Sequence, residues 1–164
     1  MYLLLMSTME AAGYGQYEIS NFAKPGMESR HNITYWRNQD YYGLGAGAHG
    51  YVGRKRHMNI KGVNPYIEAS RSGLPRLDTF EITEQEAMED FMMVGLRMRE
   101  GVSDSAFRAQ FGGQPLTDIF GGPLHKLLHA GLLEQEGDTY RLSKQGILFG
   151  NDVFGEFVGV LTEV

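Results

Sequence analysis

Cysteine is absent from the 164 residues. That excludes disulfides, thiolate metal sites and an iron–sulfur cluster ligated by cysteines of this chain. Long apolar runs are absent too. Met1 to Met6 is apolar, but Ser7, Thr8 and Glu10 break it, whereas a bilayer crossing takes roughly 18 such residues. The same stretch has no basic start and so does not read as a secretory signal. A basic excess is also missing: 15 Lys and Arg stand against 20 Asp and Glu, for a formal net charge of −5. General nucleic-acid binders carry the opposite balance. Tryptophan occurs once. Nine methionines with no cysteine suit a reducing interior.

The chain does hold 42% apolar and 21% charged residues in 18.4 kDa, which are globular values. Its charge is uneven. Residues 1–80 carry nine basic and six acidic side chains, and residues 81–164 carry six and fourteen. Such asymmetry suggests two units, with Ser72-Gly73 and Pro75 near the join.

In the first half, Met1 to Ala12 predicts a helix stopped by Gly13, and Tyr17 to Ser20 a short strand. Residues 23–40 show little periodicity and are expected to form a long ordered loop. Asn64 and Pro65 open a short helix to Arg71, with Asn64 as the cap. The second half is more regular. Thr83 and Glu86 form a capping box before a helix to Arg99, and Ser103 caps a second helix ending at Gly112-Gly113. Pro123 to Ala130 predicts a third helix, Gly137-Asp138 a hairpin turn, and Ser143 to Phe157 a closing amphipathic helix. Three helices, a two-stranded wing and a closing helix describe a winged-helix-like domain. Its recognition-helix position, about 115–130, holds Lys126 but no arginine. Phosphate binding needs several cations, so DNA reading is not expected.

Three segments could carry chemistry. Gly43 to Gly50 is dense in small residues, which either let a ligand approach the backbone or let a strand pack closely on a neighbour. No helix-forming run follows it, so it is not a dinucleotide fingerprint. His31-Asn32-Ile33-Thr34-Tyr35-Trp36 places the lone tryptophan beside a tyrosine and a histidine. Imidazole and flat aromatic walls suit haem; alternatively the segment is a loop pinned by Trp36, with His31 making hydrogen bonds. Arg54-Lys55-Arg56-His57 is a basic cluster, either solvated or able to attract a propionate or phosphate.

Taken in order, Gly13-Tyr14-Gly15-Gln16-Tyr17-Glu18-Ile19-Ser20-Asn21-Phe22-Ala23-Lys24-Pro25-Gly26, His31-Asn32 with Tyr35-Trp36, and Gly43-Leu44-Gly45-Ala46-Gly47-Ala48-His49 fall within about 37 residues. This series resembles the oxygen-independent coproporphyrinogen III oxidase-like family of radical S-adenosylmethionine (SAM) proteins, in its haem chaperone branch. The oxidase branch tends to differ at Ile19-Ser20-Asn21 and at Tyr35-Trp36. The family's CxxxCxxC cluster motif and Gly-Gly-Thr-Pro SAM motif do not occur here.

The resemblance implies an α+β chain. Residues 1–60 would be the end of an incomplete TIM-like α/β barrel, 61–80 a connecting segment, and 81–164 a mainly helical, winged-helix-like C-terminal domain. It implies haem binding at His31, Asn32, Tyr35 and Trp36, with His31 as the iron ligand. Gly45, Ala46, Gly47, Ala48 and His49 would contribute to a SAM pocket, chiefly through backbone groups of Ala48 and His49. A longer parent would hold a 4Fe–4S cluster, SAM and haem, and this chain alone none of them, without activity of its own. The implied partners are the N-terminal radical SAM barrel, haem or a porphyrinogen, and haem-acceptor proteins. Two rival functions stay open: oxidative decarboxylation of porphyrinogen propionates, and a stand-alone interaction module.

Overall fold

The computed structural model describes residues 1–160. The chain is mixed α+β, as the resemblance implies. Helix α1 (Tyr2–Ala11) buries no residue and leaves Leu3, Leu4 and Leu5 exposed. It is anchored by the Tyr2 hydroxyl, which donates to the Ile19 carbonyl at 2.6 Å. Strands β1 (Gly15–Glu18) and β2 (Asn21–Ala23) form a tight antiparallel hairpin.

Residues 23–40 do not form the expected loop. They contain helix α2 (Arg30–Trp36), capped by Ser29, whose hydroxyl accepts from the Asn32 N–H at 3.3 Å. The side-chain cap supplies what the apolar pattern does not signal. Next come β3 (His49–Val52), β4 (Lys55–Asn59), α3 (Val63–Ser70) and β5 (Arg76–Glu81). The three strands make an antiparallel sheet in the order β3-β4-β5. The N-cap of α3 is Gly62, not Asn64, so Pro65 falls inside the first turn, where its missing N–H leaves no bond unmade.

Helix α4 (Glu84–Gly95) opens on the expected capping box: Thr83 accepts from the Glu86 N–H and Glu86 from the Thr83 N–H. It stops at Gly95 instead of running to Arg99. The backbone after it turns to pair with β1: the Ile19 N–H donates to Arg97 and the Arg99 N–H to Tyr17. Strand β6 (Val102–Ser103) leads into α5 (Asp104–Gln110), capped by Ser103 as predicted. Helix α6 (Leu116–His129) starts well before Pro123 and is kinked at Phe120, which leaves room for the proline ring. Strands β7 (Leu133–Glu136) and β8 (Thr139–Leu142) flank the predicted turn, and β6 joins them in the order β6-β8-β7. The predicted closing helix is instead a 3-10 turn (Gly146–Phe149) followed by α7 (Gly150–Gly155). Gly146 packs against the Leu132 carbonyl so closely that a side chain there would collide with it.

The core lies in the second half. Phe107, Phe111, Phe120 and Phe157 are fully buried with Met92, Leu96 and Leu116. Phe107 is the hub, with ring centres 4.7 Å from Phe111 and 6.1 Å from Phe120. Tyr51 of β3 joins this core, and Arg97 and Arg99 hydrogen-bond β1, so the first half is fastened to a packed second half.

Candidate functional site

Helix α2 decides where the residues of the aromatic motif go. His31 and Tyr35, four apart, lie on one face, and their rings meet edge-on at 4.7 Å. Tyr35 then lies 4.0 Å from Tyr41, and Tyr41 6.4 Å from Tyr51. An aromatic ladder thus runs from exposed His31 to the buried core. No hydrogen bond involves the His31 side chain among the described residues; its one close partner is the Tyr35 ring. Asn32 contributes its backbone N–H to the helix cap. Trp36 leaves this group altogether: its ring packs on the Arg97 guanidinium at 4.2 Å. One short segment therefore does not place His31 and Trp36 around the same plane.

The glycine-rich segment is a closed loop. Tyr41 and Tyr51 tie its ends by two backbone hydrogen bonds, 2.7 and 2.9 Å. Inside it, the Asn59 amide donates to the carbonyls of Gly43 and Gly45 at 2.9 and 3.0 Å, and the Gly45 N–H donates to the Tyr66 hydroxyl. The Ala48 N–H donates to Gly45 and its carbonyl accepts from the Asn59 N–H. Most backbone groups of Gly45, Gly47 and Ala48 are therefore engaged within the chain, and His49 stands exposed at the start of β3. Gly50 lies under the His57 imidazole, where any Cβ would overlap the ring. The close-packing reading of this segment thus holds at Gly50, and it does not conflict with the loop forming one wall of a pocket.

The basic cluster is not a free anion site. Arg54 pairs with Glu84 at 3.7 Å, Lys55 with Glu81 at 2.8 Å and Arg56 with Asp90 at 2.5 Å. His57 is buried rather than exposed, and burial, with Arg76 and His49 nearby, holds its pKa below the usual imidazole value. Burial raises Asp90 despite the adjacent Arg56, and likewise raises Tyr41 and Tyr51. Both tyrosines therefore stay neutral and apolar in character under ordinary conditions. Sequence reading missed them as members of the ladder; the available signal was that they bracket the glycine-rich segment.

The fold of the chain is that of a known class. It superposes on the solved structure of coproporphyrinogen III oxidase (HemN) from Escherichia coli, a radical SAM enzyme, with a TM-score of 0.71. The match covers 94% of this chain and 39% of that one at 17% identity, which establishes the fold alone. The sequence family described as the HemN C-terminal domain matches residues 82–149.

Over nearly its whole length the chain is similar in sequence to relatives that carry one name. A Bacillus subtilis relative is 48% identical over 162 residues, 98% of this chain and 42% of its own length. A Lactococcus lactis relative is 35% identical over 96% of this chain and 41% of its own, and an Escherichia coli relative 31% identical over 92% and 39%. All three carry the name heme chaperone HemW. The chain spans about two-fifths of the length of these relatives. No helix among the described residues is long and apolar enough to cross a membrane.

Proposed function

We propose that the chain is the C-terminal part of a haem chaperone and that His31 offers the haem iron its imidazole. The observation that carries this reading is the state of that side chain: exposed, without a hydrogen bond, and edge-on to Tyr35 at the head of an aromatic ladder. A neutral imidazole ligates iron, and ring faces suit a flat macrocycle. Tyr35 and Tyr41 provide such faces beside His31, while Trp36 supports the site from beneath by holding α2 on Arg97. The residues present therefore fit haem, which His31 would hold through its imidazole. They do not fit a 4Fe–4S cluster, because the chain has no cysteine.

In this reading residues 1–60 close the end of an incomplete barrel supplied by the rest of a longer protein. The loop from Gly45 to His49 gives that barrel one wall of its SAM pocket. The exposed leucines of α1 suit burial against such a barrel. Residues 61–80 connect to a winged-helix-like domain of α4, α5, α6 and the β6-β8-β7 sheet. The parent protein works in the cytoplasm and hands haem to acceptor proteins. Titration of the chain with ferric haem tests the reading: the Soret band should shift for the wild type and not for His31→Ala. His125→Ala serves as the control for an exposed histidine outside the site. A Soret shift unchanged in His31→Ala would show that His31 is not the ligand.

A further inference from the structure

Helix α6 carries two histidines that the haem reading does not use. His125 and His129 lie four residues apart on one face, and both are exposed. Their rings stack 22° from parallel with centres 6.5 Å apart, and neither imidazole has a hydrogen bond or ion pair among the described residues. The face beside them is bare. Gly121 and Gly122 on the preceding turn have no side chain, and nothing lies within 4 Å of where one would start. Lys126, next to His125, is drawn aside to Glu156 at the end of α7 by two hydrogen bonds of 2.7 Å. Leu124 and Leu127 are buried beneath, so core packing fixes the turn that spaces the two imidazoles.

Two unengaged imidazoles one turn apart are the arms of a chelate, at the spacing by which helical histidine pairs hold zinc. Bound side by side to one ion, their ring centres would lie about 5 Å apart, given a metal–nitrogen length of roughly 2.0–2.1 Å. Rotation of two exposed side chains supplies the needed closure of about 1.5 Å. No third His, Cys, Asp or Glu joins them among the described residues, so water fills the other positions. Lys126 stands where a zinc protease has its glutamate, which leaves binding without hydrolysis.

We propose that His125 and His129 together bind a late transition-metal dication, Cu(II) more tightly than Zn(II). The site is independent of the haem reading, because His31 belongs to α2.

Calorimetric titration of Zn(II) and Cu(II) into the chain tests the proposal. The wild type should take up one tight equivalent of either ion. His125→Ala and His129→Ala should each weaken that binding about tenfold or more, as losing one arm of a chelate does. Moving one histidine along the helix, His129→Ala with Ala130→His, keeps two imidazoles but turns them to diverging faces. This variant should bind as weakly as the single ones. All three positions are exposed, so the packing is left intact. Wild-type affinity in the shifted pair would show casual binding at exposed histidines, and undiminished affinity in either alanine variant would place the ion elsewhere. Either result overturns the proposal, as does tighter binding of Zn(II) than of Cu(II), or no binding at millimolar Zn(II).

Discussion

The guanidinium of Arg97 sits 4.2 Å from the centre of the Trp36 ring, and its Nη2 approaches the fully buried carboxylate of Glu18 at 3.5 Å. Phe154 lies on it too, at 5.9 Å. Glu18 is otherwise served by the Ser20 N–H at 2.7 Å and the Asn21 amide at 2.6 Å. One cation thus joins α2, the β1–β2 hairpin, the segment after α4, and α7. It orients the helix that presents His31 without touching His31.

Removing that cation should leave a buried carboxylate short of its partner. Arg97→Met is expected to destabilise the chain by about 3 kcal/mol in urea unfolding, the lower end for breaking a buried pair. Trp36→Leu combined with Arg97→Met should cost less than the sum of the two single changes, because both dismantle one stack. Strict additivity would contradict the coupling.

Gly50 is closed in on one side by the His57 ring and on another by the Gly43 backbone nitrogen. Gly50→Ala is expected to cost about 2 kcal/mol through overpacking. His57→Ala should remove only part of that penalty, because the new Cβ would still lie 2.7 Å from the Gly43 backbone nitrogen; a double-mutant cycle measures the part due to the ring. Equal penalties with and without the imidazole would place the cost elsewhere.

Acid should weaken the chain through His57. Its folded-state pKa lies below the ordinary value of 6.5 because it is buried, with Arg76 and His49 adding to the effect. The unfolded chain therefore binds the proton more readily, and the stabilisation is complete above about 6.5 and lost as pH falls below it. Urea midpoints should decline from pH 7 to pH 5 for the wild type and stay flatter for His57→Gln. The carboxylates held below their usual range, Glu81, Glu86, Asp104 and Asp138, act only at lower pH.

The sequence made some of this architecture readable and hid the rest for definable reasons. Thr83 with Glu86, Ser103, and Gly137-Asp138 are local devices whose partners lie a few residues away, and each appears where expected. Helix α2 escaped because its evidence is a single cap at Ser29 and a four-residue His31–Tyr35 spacing, without an apolar period. The end of α4 and the broken last helix were set by distant partners. Arg97 and Arg99 are recruited by β1, and Gly146 by the Leu132 carbonyl. At the candidate site, the sequence motif put His31 and Tyr35 forward together, but only the helix turns Trp36 away toward Arg97. Tyr41 and Tyr51 become partners of Tyr35 through loop closure, which no local pattern announces.

The most direct measurement of the central claim is ligand rescue at His31. His31→Gly removes the imidazole from an exposed position that carries little packing, so the fold should remain, as circular dichroism would verify. Ferric haem added to this variant should give the Soret band of unligated haem, and millimolar imidazole should restore the wild-type band. A wild-type spectrum in His31→Gly before imidazole is added would contradict the account and place the iron on another side chain.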